Sequence, residues 1–193
     1  MSKSRKSGVK VKEWVYTPTC KHNTQPVAVG SRFIYASAYS NLNYPRESID
    51  FGIYFADGWN HLFQPPKIYG DIPGFAPPPV KAKFPAMVID WEDGSSLDYK
   101  TIKWLIDGTI ANLAEGKKID VGCFGGHGRT GMFLACLIGT VESLDARESI
   151  LTMRERYCQE AIETYSQIWG VANFLGTAVP EDIPLPFKSW GTY

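Results

Sequence analysis

Residues 121–139 read VGCFGGHGRTGMFLACLIG, with a thiol, Cys123, six positions before a guanidinium, Arg129, and Gly125, Gly126 and Gly128 between them. Glycines let successive peptide units turn so that their N–H groups converge on one point, which makes an anion-binding nest. A helix beginning near Arg129 aims the positive end of its dipole at the same point, and the Arg129 fork can grip two oxygens of a tetrahedral oxyanion. Each of these features also favours thiolate over thiol at Cys123. One cradle can therefore hold a phosphate and activate the sulfur that attacks it. Thr130 adds a hydroxyl able to stabilise the thiolate when it leaves a phosphoenzyme.

Such a loop needs a rigid strand before it and a helix behind it. Short apolar runs of strand character cover 32–36, 50–55, 86–90 and 119–122, each followed by turn or loop residues, as in the buried strands of an α/β sheet. Between the last two, Leu97, Ile102, Leu105, Ile106, Ile110 and Leu113 recur at helical spacing, with Ser95 or Ser96 available as cap and Gly116 as a left-handed stop. Strand, helix, strand in this span is a parallel crossover unit. Helical periodicity resumes over 143–157 and 162–175. The fold class expected is a single α/β domain with a mostly parallel central sheet flanked by helices, the phosphate loop lying between the last strand and the following helix.

With 193 residues, 44% of them hydrophobic, the chain can build one full core. Twenty basic and twenty acidic side chains cancel, so net charge gives no argument for nucleic acid or membrane. Residues 1–13 carry Lys3, Arg5, Lys6, Lys10 and Lys12 and are expected to be a flexible basic tail, with the domain over 14–193. Within it, 57–85 is rich in proline, including Pro77, Pro78 and Pro79, and forms a long loop that is either a substrate rim or a surface excursion. No apolar run approaches the roughly 20 residues of a membrane span. Cys20, Cys123, Cys136 and Cys158 show no paired CxxC spacing, which argues against a zinc site and a disulfide framework and suits a reducing, cytoplasmic setting.

The segment CFGGHGRTG resembles the active-site signature of the protein tyrosine phosphatase superfamily: cysteine, five residues, arginine, then serine or threonine. It is closest in style to the dual-specificity and atypical members. The resemblance implies a phosphatase with Cys123 as nucleophile and a phosphocysteine intermediate, and with Arg129 and the amides of Phe124, Gly125, Gly126, His127, Gly128 and Thr130 holding the phosphate. It implies a general acid upstream, in a loop that is usually Trp-Pro-Asp. Trp91-Glu92-Asp93 aligns with that loop, giving Asp93 as the acid and Trp91 as its anchor, with Glu92 in place of proline. Asp90 and Glu92 are alternative acids, and Asp93 could instead cap the following helix beside Ser95. Downstream, Gln167 matches the later glutamine of the segment that orders the hydrolytic water, while Glu163 stands where the earlier one usually is. Gly122 replaces the histidine that usually precedes the nucleophile. His127 is either a positive charge beside the phosphate or a rim residue meeting substrate or solvent.

The function implied is hydrolysis of phosphate monoesters on proteins, with no metal and no cofactor, on phosphotyrosine alone or on phosphoserine and phosphothreonine as well, according to the depth of the pocket. The partner expected is a phosphorylated protein. Rivals are a phosphate-binding pseudophosphatase module, to which Gly122, Glu92 and Glu163 point, and a phosphatase acting on RNA 5′-phosphates or inositol lipids, for which the basic tail and the loop over 57–85 would supply contacts.

Overall fold

The computed structural model describes residues 25–38, 48–56, 68–69 and 84–186. The basic tail and nearly all of the proline-rich stretch lie outside them. The strands are β1 (Val27–Val29), β2 (Arg32–Ala38), β3 (Phe51–Ala56), β4 (Ile68–Tyr69), β5 (Ala86–Asp90) and β6 (Ile119–Cys123), and the helices α1 (Tyr99–Ala114), α2 (Gly128–Glu142), α3 (Ala146–Arg156) and α4 (Tyr165–Leu175). The strands form one sheet in the order β1-β2-β6-β3-β5-β4. Its four central strands are parallel, and the two-stranded joins at either end are antiparallel.

Several elements depart from the sequence expectation: β1 is not among the expected strands, and α4 begins at Tyr165, capped by Thr164, rather than at 162. Residues 68–69 pair with β5, so the stretch over 57–85 is not loop throughout. The helical run expected over 143–157 is broken at its start: Ser143 closes α2 in a left-handed conformation (φ 57°), and Asp145 caps α3 by accepting from the Glu148 N–H. Nor does Ser95 or Ser96 cap α1. Asp98 does, its carboxylate accepting from the N–H groups of Lys100 and Thr101 at 3.0 Å each. Gly116, at φ 80°, follows the end of α1 as expected.

Sequence explains why β6 lies in the middle. Every residue from Ile119 to Cys123 is buried, and in register Cys123 stands between Ala38 of β2 and Phe55 of β3. A strand covered on both faces must be apolar or satisfied, and the buried Asp120 carboxylate accepts from the Tyr54 hydroxyl at 2.8 Å. Helix α2 is buried all round from Gly128 to Gly139, with α1, α3 and α4 packed against it. The thiol therefore leaves a strand held on both sides and enters a helix held on all sides. Neither end can drift. Among the described residues no helix is long and apolar enough to cross a membrane.

Candidate active site

The loop from Cys123 to Arg129 turns where the glycines allow it. Gly126 has φ 74°, and a Cβ there would stand 3.0 Å from the Ala38 backbone nitrogen and 3.0 Å from the Tyr157 hydroxyl oxygen. The Tyr157 hydroxyl donates to the Gly126 carbonyl at 2.6 Å, so a residue from the end of α3 fastens the apex of the loop. At Gly128 a Cβ would lie 2.5 Å from Glu163 Oε2 and 2.6 Å from Gln167 Nε2. Both positions thus need glycine for close approach, and at Gly126 for backbone conformation as well.

Arg129 is 4% exposed and reaches back to the loop after β5. Its Nη1 donates to the Trp91 carbonyl at 2.8 Å, and its Nη2 lies 3.2 Å from Asp93 Oδ1. The loop is itself well held. Trp91 is buried, its N–H donates to Ala56 at 2.8 Å, and its ring meets Phe55 edge-on at 5.0 Å. The indole donates to the Ser95 carbonyl at 3.1 Å. Residues 92–95 form a turn closed by the Ser95 N–H on the Glu92 carbonyl (3.3 Å), with Gly94 at φ 71° supplying its left-handed position. Thr164 ties this turn to α4 through a 2.6 Å bond to the Gly94 carbonyl. Asp93 projects from the turn with its side chain 65% exposed, beside Arg129, and it is Asp98 that caps α1.

Three buried polar atoms here have no hydrogen-bond partner among the described residues: Arg129 Nε, Thr130 Oγ1 and Gln167 Nε2. Buried polar groups are almost always satisfied, and each unpaired one costs about 1–3 kcal/mol. Their residues sit on the first turn of α2 and, for Gln167, against Gly128 where that turn begins. Two are donors suited to an oxyanion or a water, and the third is a hydroxyl.

His127 departs from expectation. It is 2% exposed and not on a rim, with its Nε2 4.0 Å from Glu160 and its Nδ1 3.8 Å from Glu163. Burial pushes its pKa below the ordinary 6.5, against the pull of Glu160. Burial wins, and the ring is neutral at neutral pH. Glu163 is the counterpart: burial first, then the charge of Asp93, raise its carboxyl from 4.5 to about 7, although the Gly128 N–H and Arg129 act the other way. Gln167 belongs to the capping box of α4, its Oε1 accepting from the N–H groups of Glu163 (2.8 Å) and Thr164 (3.3 Å).

Gly122 has a steric reason. A Cβ there would meet the Ser37 carbonyl oxygen at 2.9 Å, so no histidine fits before Cys123 on this backbone. Cys123 is 2% exposed, while the next residue, Phe124, is 56% exposed. Sequence reasoning missed Tyr157 and Arg154. Arg154 is buried and donates to the Ala161 carbonyl (3.0 Å) and the Ile162 carbonyl (3.2 Å), positioning the segment that carries Glu163. A polar residue on a helix face gives no sign of a contact made to backbone carbonyls beyond that helix.

No family model matches the chain. Two uncharacterized proteins of Methanocaldococcus jannaschii align with 93 residues at 31% identity and with 94 residues at 33%, each match taking in 48% of this chain. The matches cover 57% and 61% of those proteins, so the chain spans less than two thirds of the curated relatives it matches. Among solved structures, Tk-PTP in its active form superimposes with a TM-score of 0.58 at 15% identity, covering 78% of this chain and 96% of that one. A kinase associated phosphatase whose catalytic-site cysteine is replaced by serine gives 0.51 at 17%, covering 79% and 93%. PTPMT1 gives 0.50 at 14%, covering 66% and 76%. The chain shares the fold of these solved phosphatase structures.

Proposed function

We propose that the chain hydrolyses phosphate monoesters on proteins, phosphotyrosine and also phosphoserine or phosphothreonine, through a phosphocysteine on Cys123. The observation that carries the proposal is the unpaired, buried trio of Arg129 Nε, Thr130 Oγ1 and Gln167 Nε2 around a glycine loop that begins at a strand-end thiol. The likeness to a phosphatase described with a catalytic-site cysteine supports the same chemistry.

In this mechanism Cys123 Sγ attacks phosphorus in line as Asp93 gives a proton to the departing oxygen. Arg129 and the loop amides, Phe124 through Thr130, hold the equatorial oxygens whose charge redistributes in the transition state. Trp91 fixes the Asp93 turn, Thr130 stabilises the thiolate as leaving group, and Gln167 Nε2 donates to the water that attacks next. Neutral His127 contributes its backbone amide rather than a charge. Exposed Phe124 offers an aromatic face to the substrate beside the sulfur. The three described cysteines are free thiols, in keeping with a reducing compartment such as the cytoplasm.

The test is hydrolysis of para-nitrophenyl phosphate and of a phosphopeptide panel by wild type, Cys123→Ser and Asp93→Ala. Wild type should turn over both, Cys123→Ser neither, and Asp93→Ala should be slowed on the order of 10²-fold. A wild type that binds phosphate analogues without hydrolysing any ester is a binding module, and the proposal fails. Hydrolysis confined to RNA 5′-phosphate or inositol lipid arms moves the substrate class away from proteins.

A further inference from the structure

Ile162 has φ 65°, a conformation that a β-branched side chain rarely adopts and that costs about 1–3 kcal/mol. The surroundings impose it. Ile162 is fully buried, Arg154 grips its carbonyl and that of Ala161, and a Cβ at Gly131 would come within 2.9 Å of its nitrogen. The consequence is the direction of the next side chain. Glu163 turns back over the phosphate loop, where its Oε2 packs on Gly128, whose N–H favours the charged carboxylate.

The groups facing Glu163 are Asp93 from the turn after β5, His127 and Arg129 from the loop and first turn of α2, Glu160 from the segment after α3, and Gln167 from α4. Gln167 spends its Oε1 on the two backbone N–H groups of the capping box and has only Nε2 left to offer. It can donate to a water oxygen and cannot take a proton from it. His127 Nδ1 faces the Glu163 carboxyl at 3.8 Å, inside the protein. Of the carboxyls here, Glu160 faces His127 Nε2 at 4.0 Å, Asp93 stands on its exposed turn beside Arg129, and Glu163 lies over Gly128 itself.

We propose that Glu163 is a second catalytic proton carrier, the general base for hydrolysis of the phosphocysteine, leaving Asp93 to serve the departing alcohol or phenol in the first step. This rests on the phosphatase reading above. The water oxygen bonds to phosphorus, the P–S bond breaks with its electron pair returning to Cys123 as thiolate, the water proton passes to the Glu163 carboxylate, and inorganic phosphate leaves. An amide at this position can only orient that water. A carboxyl whose affinity for protons lies near neutrality, as burial and Asp93 make it here, can both accept and return the proton each cycle.

The experiment is rapid-quench and steady-state kinetics of para-nitrophenyl phosphate with the full chain as wild type, Glu163→Gln, Glu163→Asp and Cys123→Ser. Glu163→Gln should release one nitrophenol per enzyme at the wild-type rate and then turn over about 10²-fold more slowly, with phosphoenzyme accumulating. The limb of the pH profile near 7 should disappear with it, and Glu163→Asp should recover part of the rate and the limb. Turnover of Glu163→Gln within about threefold of wild type with an unchanged pH limb overturns the assignment, as does slowing confined to the nitrophenol burst. A wild type with neither burst nor turnover, indistinguishable from Cys123→Ser, overturns the phosphatase reading and this one with it.

Discussion

Replacing Glu163 by glutamine should stabilise the folded protein, and only on the alkaline side. The folded state raises this carboxyl from 4.5 to about 7, so it holds the proton more tightly than the unfolded chain does. Stability is therefore greatest where both states are protonated, falls as pH rises from about 4.5 to about 7, and stays reduced above that. The gap between 4.5 and about 7 is worth roughly 3 kcal/mol. Water reaching the 29% of the side chain that is exposed brings the expected effect down to about 2 kcal/mol. A glutamine keeps an oxygen for the Gly128 N–H and removes the charge that burial and Asp93 disfavour. For a chain of this size about 2 kcal/mol corresponds to roughly 4–8 °C in Tm. Paired thermal melts by circular dichroism should show Glu163→Gln close to wild type near about pH 5 and roughly 4–8 °C above it near about pH 8. An equal difference at both pH values, or a mutant less stable at the higher one, refutes the electrostatic reasoning.

Gly122→His, which places a histidine before Cys123, should lower Tm, because its Cβ would sit 2.9 Å from the Ser37 carbonyl; overpacking of this kind costs about 1–3 kcal/mol, and an unchanged Tm would contradict it. Tyr157→Phe removes the 2.6 Å bond to Gly126 and should weaken competitive inhibition by inorganic phosphate several-fold, with about 1 kcal/mol lost in urea unfolding. His127 has a folded value below 6.5, so it costs stability as pH falls below 6.5; His127→Asn should flatten the acid limb of a urea-midpoint profile and leave the limb above 7 unchanged.

Local chemistry made much of this legible in advance. The apolar runs that became β3, β5 and β6 and the glycine-spaced thiol loop carry their own signals, as does Gly116 at the end of α1. Caps were less legible because several residues before α1 could serve, and only the backbone direction at Asp98 decides between them. Ser143 adopts a conformation usually left to glycine, which no pattern of apolar residues marks. At the site, sequence brought Trp91, Asp93, Cys123, Arg129, Glu163 and Gln167 onto one list, and the chain places Asp93, Arg129, Glu163 and Gln167 around Gly128 or one another. It could not give the environment. His127 is three residues from exposed Phe124 yet buried between two glutamates, and Glu163 owes its aim to a left-handed isoleucine whose cause lies in Arg154 and Gly131.

The central claim is that the loop after β6 binds phosphate directly against a reactive Cys123. Iodoacetate labelling at neutral pH, followed by mass spectrometry of each cysteine with and without inorganic phosphate, tests it most directly. Cys136, fully buried with its thiol pushed far up by that burial, serves as the unreactive internal control. Cys123 should be carboxymethylated first, with a rate that phosphate suppresses saturably and that phosphate no longer suppresses in Arg129→Ala. Labelling of Cys123 as slow as that of Cys136, or equally fast at every phosphate concentration, would contradict the account.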